Sequence, residues 1–256
     1  MRPAPILPPI APPKKKRRRS WLLNLLGFAF ASGVALFLAA AAVAGFVVWK
    51  ASRDLPDYES LAKYEPPVMT RIHAHDGSLM AEYARERRIF VPINVIPKQV
   101  IAAFLSAEDK RFYEHGGLDF TGIVRAAYKF VTNILNRSDR RTEGASTITQ
   151  QVAKNFLLTS DRTLERKLKE AILAIRIERA YSKDKILELY LNEIYLGIGS
   201  YGVAAAALNY FNKELSELSI EEAAYLAALP KAPNNYHPFR RTREATIRRD
   251  WIVEQM

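Results

Sequence analysis

Residues 104–120 read "FLSAEDKRFYEHGGLDF", and two carboxylates, Glu108 and Asp109, close an apolar helix-like run there. A helix macrodipole disfavours negative charge at its C-terminus, so the placement asks for a reason. Ile101, Phe104, Leu105 and Glu108 stand at i, i+3, i+4 and i+7, so the glutamate continues an apolar stripe. A carboxylate on such a stripe is partly desolvated, which raises its pKa and makes it a better proton acceptor. The alternative is that Glu108 turns outward where the helix frays. Asp109 and Lys110 are by default solvated or paired. Phe112 and Tyr113 are by default core, and His115 before Gly116-Gly117 a satisfied loop residue.

Two further constellations lie downstream. In "EGASTITQQVAKNFLL", Ser146 is placed to cap a helix whose Ile148, Val152 and Phe156 form an apolar line. Thr147, Gln150, Gln151 and Lys154 share another face, with hydroxyl and amide groups, one cation and no acid. That composition suits a polar or anionic ligand near a helix N-terminus, although a merely exposed polar face has the same pattern. In "SDRTLERKLKEAILAIRIERAYSKDKI", Arg162, Arg166 and Lys167 cluster near a helix start, where the dipole does not ask for cations. Glu170 there begins a line continued by Leu173, Ala174 and Ile177, while Arg166–Glu170 also fits an ordinary i,i+4 pair. Together, two carboxylates, amides and several cations fit transfer of a sugar from a phosphate leaving group. Such a leaving group needs charge neutralisation, and the attacking hydroxyl needs a base.

Composition sets the surroundings. The net charge of +11 is uneven: residues 1–19 hold seven basic side chains and no acid, leaving 31 basic against 27 acidic residues in the rest. That argues against a nucleic-acid partner, which calls for a basic face on the folded domain. With no cysteine, disulfides, thiol nucleophiles and zinc-thiolate sites are excluded. Ser20 to Trp49 contains no charged residue, and a spanning helix needs about 20 mainly apolar ones. The stretch is too long for the core of a cleaved signal peptide and ends in Val-Val-Trp-Lys rather than at small residues. "KKKRRR" before it predicts a cytoplasmic N-terminus and residues 50–256 on the far side of the membrane.

The expected organisation is a basic, proline-rich tail at 1–19, a transmembrane helix at 20–49, a connector at 50–95 and a domain at 96–256. In the connector, apolar and polar residues alternate around Asp76-Gly77, predicting two strands and a turn. Beyond Pro97 helices are predicted at 98–109, 120–136, 147–158, 163–180, 183–196, 200–211 and 220–229. Ser182 caps one of these, with Gly197 at its end, and Ser219 with Glu222 forms a capping box before another. The fold class is mainly α with a small β element.

Four ordered segments, "AEDKRFYEHGGLD", "GASTITQQVAKN", "RKLKEAILAIRIE" and "ELYLNEIYLGIGSYG", resemble the motifs of the family 51 peptidoglycan glycosyltransferases, the polymerase module of class A penicillin-binding proteins. The similarity runs from about residue 55 to the end. It implies a lysozyme-like α-helical head with a smaller membrane-proximal jaw. The implied substrate is lipid II, with membrane lipids, the growing glycan strand and other wall-synthesis proteins as partners at the bacterial inner membrane. The Glu of the family motif E-D-x-x-F-x-x-H falls on Glu108, which would deprotonate the acceptor 4-hydroxyl. Asp109, Phe112 and His115 occupy the same motif. The second motif places Ser146, Thr147, Gln150, Gln151, Lys154 and Asn155 in the cleft, and the third places Arg166, Lys167 and Glu170 there, with Arg162 just upstream. Lys154, Arg162 and Arg166 would neutralise pyrophosphate, and Glu170 would orient donor groups or a divalent cation such as Mg or Mn. No organic cofactor is implied, and moenomycin is the family's phosphoglycolipid inhibitor.

Two departures stand out. Ala145 occupies the second position of a motif that commonly begins Gly-Gly, and "NILNRSDRRTEG" is longer than usual, predicting a mobile basic loop at 136–143. The line Phe120, Ile123, Val124, Ala127, Val131 and Ile134, with Arg125, Lys129 and Arg137 nearby, fits either a bilayer surface or packing against the head. No S-x-x-K motif with K-T-G partners is present; the resemblance favours reading the chain as the N-terminal part of a bifunctional protein, with a monofunctional polymerase as the alternative. The competing functions are a lysozyme-like glycan-cleaving enzyme and a membrane-tethered scaffold for wall synthesis.

Overall fold

The computed structural model describes residues 18–53, 55–63, 70–83, 87–135, 146–158 and 163–256. Arg162 and the segment 136–145, including Gly144, Ala145 and the expected basic loop, lie outside the described residues. The described residues fall into two compact units, divided after Arg53.

The first unit contains helix α1, Arg18–Arg53, of 36 residues. Its stretch Leu23–Arg53 contains an 18-residue window with a mean hydropathy of 2.3 and is long and apolar enough to cross a membrane. Apolar side chains are exposed all round it, from Trp21 and Phe28 to Phe46 and Trp49, as a helix solvated by lipid requires. The Arg53 guanidinium lies 4.2 Å from the Trp49 ring centroid, a pairing suited to a membrane–water boundary.

The second unit opens with a 3-10 turn at Glu59–Lys63 and a hairpin of β1 (Thr70–His73) and β2 (Leu79–Tyr83). Gly77 takes the positive φ of +82° in the connecting turn, and the Asp76 carboxylate accepts from the backbone and hydroxyl of Ser78. The expected division at residue 95 is not a break, because Leu61 and Ile96 are buried in one core with the helices that follow.

That core is built by α2 (Lys98–Glu108), α4 (Ile148–Leu157), α5 (Leu164–Ala180), α6 (Lys183–Glu193), α7 (Val203–Phe211), α8 (Ile220–Ala228) and α9 (Thr242–Gln255). α3 (Phe120–Leu135) adds a long helix with no buried residue. Helix α2 packs on α8 and α9, and α4 packs on α5 and α6. Alanines at 204–207 and at 223, 224, 227 and 228 let the α7 and α8 backbones approach their neighbours closely. Apart from the line on α3, the predicted stripes supply the core: Phe104 on α2, Ile148 and Val152 on α4, Leu173, Ala174 and Ile177 on α5, and Ile186, Leu187, Tyr190 and Leu191 on α6 are buried.

Helix ends follow local chemistry. Ser182 accepts from the Lys185 N–H, and Ser219 and Glu222 form the expected reciprocal capping box. Three boundaries differ from expectation. Helix α4 is capped by Thr147 with Gln150, not by Ser146. Helix α6 stops at Glu193 because Ile194 turns extended. Ser200–Tyr201 forms β4, pairing in parallel with β3 (Arg87–Arg88), so α7 begins only after Gly202. A Cβ at Gly202, at φ +79°, would stand 2.6 Å from the Asn192 carbonyl oxygen.

The chain enters α2 along α6. Val91 donates to Asn192 Oδ1 at 2.8 Å and accepts from Asn192 Nδ2 at 2.9 Å, while Ile93 N donates to Glu188 Oε2 at 3.0 Å. Asn192 and Glu188 are one helical turn apart, so α6 fixes the approach to the helix that carries Glu108.

Candidate active site

A cleft of about 770 Å³ runs between the end of α2, one face of α3, the first turns of α4 and α5, and α9. Among the described residues, nine cationic side chains and four carboxylates line it, with Glu108 and Glu170 among the latter.

Glu108 accepts a hydrogen bond from Gln151 Nε2 at 2.8 Å. Burial pushes its carboxyl above the ordinary range, against the pull of Gln151 and of the cations Arg248, Lys231 and Lys154. It does not fray outward. The next residue is turned to a different task. Asp109, 7% exposed, accepts from His115 Nε2 at 3.0 Å and from the Ile148 N–H at 3.0 Å. That N–H opens α4, so this carboxylate meets the positive end of a helix dipole. His115 Nδ1 accepts from Gly117 N at 3.2 Å, which makes Nε2 the protonated nitrogen that donates to Asp109.

The loop after α2 is locked from below. Thr147 Oγ1 donates to the Gly117 carbonyl at 2.7 Å, and Lys183 Nζ donates to the His115 carbonyl at 2.7 Å. Lys183 also sits 4.3 Å from the Phe112 ring centroid and pairs with Glu178, which accepts from Thr149 as well. Gly117, at φ +95°, brings its backbone so close to α5 that a Cβ would stand 2.8 Å from the Ala174 carbonyl oxygen.

On the opposite wall Glu170 is 2% exposed. Lys167 Nζ donates to its Oε2 at 2.6 Å and to Ser146 Oγ at 2.9 Å. Arg166 Nε stands 3.5 Å from Oε1, an ion-pair distance without hydrogen-bond geometry, so Oε1 remains a buried acceptor with no hydrogen-bond partner among the described residues. Burial pushes the Lys154 amine below its usual range, and the neighbouring Arg166 and Lys167 add to this against Glu170 and Glu108.

A family model described as transglycosylase matches residues 76–256. The chain belongs to the transglycosylase family. It is similar to penicillin-binding protein 1A of Rickettsia felis, 56% identical over 86% of this chain and 28% of that protein, and to those of Aquifex aeolicus (50%, 80% and 27%) and Neisseria lactamica (48%, 79% and 25%). It therefore spans little more than a quarter of the length of these relatives. A crystal structure of penicillin-binding protein 1A from Haemophilus influenzae aligns over 75% of this chain and 18% of that one, at 26% identity with a TM-score of 0.39.

Within the cleft, the structure brings together Glu108, Asp109, Ser146, Thr147, Gln150, Gln151, Lys154, Arg166, Lys167 and Glu170. Phe112 is 1% exposed beneath the loop, and neither it, His115 nor Asn155 lines the cleft. The side chains of Phe112 and His115 support the loop that positions Glu108. Thr147 and Gln150 serve first as the reciprocal cap of α4 and show the cleft only their edges.

Several lining residues escaped sequence reasoning: Lys110, Arg111, Asp119, Lys231, Arg248, Trp251 and Gln255. Arg111 pairs with Asp119, which caps α3 through the Gly122 N–H at 2.9 Å. Gly122, Arg125, Ala126 and Lys129 bring one face of α3 to the cleft, where the sequence had placed Arg125 and Lys129 only near the apolar line. Lys231, Arg248 and Trp251 had no comparable signal, since only the folded chain brings α9 to the end of α2.

The donor set does not fit a protein-held divalent cation. Among the described residues no three His, Cys, Asp or Glu side chains gather in ligating positions, and Glu170 faces Lys167 and Arg166 instead.

Proposed function

We propose that residues 54–256 polymerise lipid II into β-1,4-linked glycan with inversion at the donor carbon and release of undecaprenyl pyrophosphate. Glu108 takes the proton of the acceptor GlcNAc 4-hydroxyl; that oxygen bonds to C1 of the donor MurNAc as the bond from C1 to the pyrophosphate oxygen breaks. Gln151 holds the carboxylate in place. Lys154, Arg166 and Lys167 meet the charge developing on the leaving diphosphate. The bare Oε1 of Glu170 is an acceptor for a donor hydroxyl or amide. One observation carries the reading: a carboxylate whose burial raises its proton affinity stands in a cleft where, among the described residues, cations outnumber carboxylates nine to four.

Helix α1 anchors the chain in the inner membrane, with the basic tail on the cytoplasmic side and the cleft outside. Phe120, Val124, Tyr128, Val131 and Ile134 on α3 meet membrane lipid, while the Arg125–Lys129 face turns to the cleft and the lipid-linked diphosphate. Other wall-synthesis proteins are the expected protein partners. A gel of products from labelled lipid II tests the reading. A polymer ladder abolished by moenomycin is expected; shortening of added finished glycan without polymer would replace it with hydrolysis.

A further inference from the structure

Glu108 is the last residue of α2, where helix carbonyls have no intrahelical donor. One of these, Ala107 C=O, accepts from Arg248 Nη2 at 3.3 Å. Arg248 comes from α9, far along the chain. Its guanidinium lies 4.2 Å from the Trp251 ring centroid, and its Nε is buried without a hydrogen-bond partner among the described residues. Both side chains line the cleft beside Glu108. A cation at a helix C-terminus offsets the dipole that opposes a carboxylate there.

We propose that Arg248 is a positioning residue for the Glu108 base: it ties down the closing turn of α2 and supplies the countercharge under which Glu108 accepts the acceptor's proton. The proposal rests on the assignment of Glu108 as base. The other groups facing Glu108 are Gln151 and Lys154 from α4, Lys231 after α8, the Tyr190 hydroxyl of α6 and the adjacent Asp109. Of the three cations Arg248 acts most strongly, and Lys154 is shared with Glu170. α9 thus completes the chemistry of α2, and Trp251 sets the guanidinium's tilt.

The test is polymerisation by the full chain across pH with labelled lipid II. Arg248→Met keeps an apolar stem against Trp251 and removes the charge. Its expected signature is a turnover loss of about tenfold near pH ~6 and only about twofold near pH ~9, with KM held within about twofold. The acid limb moves upward, because an uncompensated Glu108 holds its proton to higher pH. Arg248→Lys should bring the limb back toward that of the parent. Arg248→Gln, whose amide can reach a carbonyl, makes the same comparison if the methionine variant does not fold. An equal loss at every pH, or a raised KM with the limb unmoved, would overturn the proposal. Activity retained by Glu108→Gln in the same assay would instead defeat the base assignment on which it rests.

Discussion

Helices α2 and α3 both carry an apolar stripe, yet their fates are opposite. On α2, Val100, Ala103 and Phe104 are fully buried against α8 and α9, and the stripe delivers Glu108 to the cleft. On α3 no residue is buried, and Phe120, Val124, Tyr128 and Leu135 are each more than 60% exposed. Periodicity therefore announces that a face will be covered without saying by what. The covering partner of α2 is the protein's own core, and the partner we propose for α3 is lipid.

This contrast makes α2 and its loop sensitive to single atoms, and the exposed apolar face of α3 tolerant of substitution as far as stability goes. The largest effect is expected at the end of α2. Glu108→Gln should lower polymerisation by at least about 10²-fold, measured by initial rates on lipid II, because general-base catalysis is typically worth about 10²–10⁴. The same variant should unfold at a higher temperature than the parent at neutral pH. Burial raises the folded carboxyl's pKa, so stability is lost as pH rises above the unfolded value, and glutamine escapes that loss. A lower melting temperature at neutral pH together with convergence at acid pH would contradict the sign.

Next comes the loop behind Glu108. Gly117→Ala must place a Cβ 2.8 Å from the Ala174 carbonyl oxygen at a positive φ, a change expected to cost about 2–4 kcal/mol in denaturant unfolding. At the start of α3 the effect is smaller and depends on pH. Partial burial raises the Asp119 carboxyl, but the Gly122 N–H, Arg111 and Thr121 outweigh it and hold the group at about 2. Its stabilisation is present above the unfolded value of 3.8 and lost as pH falls towards about 2. Asp119→Asn should therefore lower the melting temperature at pH ~7, and the difference should close as pH falls through about 2.

The smallest stability effect belongs to the exposed face of α3. Val124→Glu with Val131→Glu should change unfolding free energy by no more than about 0.5 kcal/mol per site. It should nevertheless depress polymerisation in anionic vesicles relative to detergent. Equal rates in both settings would remove lipid as the partner of that face and sharpen the question of what covers it.

Much of this was legible because it is local. The Ser219–Glu222 box, the Ser182 cap and the Glu170–Leu173–Ala174–Ile177 line depend on residues within two turns of one another. The position of Glu108 on a stripe was legible for the same reason. What local pattern could not show is how polar groups divide their loyalties. Thr147 and Gln150 looked like ligand groups, but each is also the best available partner for an unsatisfied N–H at the start of α4. Asp109 and His115 are a motif in sequence and a strut in space, joining the end of α2 to the start of α4. Arg248 and Lys231 lie more than 120 positions from Glu108. Only tertiary packing brings such charges together.

One helix in this protein impersonates a strand. Glu188 and Asn192 present acceptors and a donor to alternate residues, Val91 and Ile93, as a neighbouring β-edge would. The match is metric: four residues of helix advance about 6 Å and two of extended chain about 6.6 Å. A slip of one residue would set Val91 and Ile93 facing away, with nothing to meet either side chain. The approach to α2 is thereby indexed like a tooth in a gear, and the rotation of the first turn, ten residues before the glutamate, is settled before that helix begins.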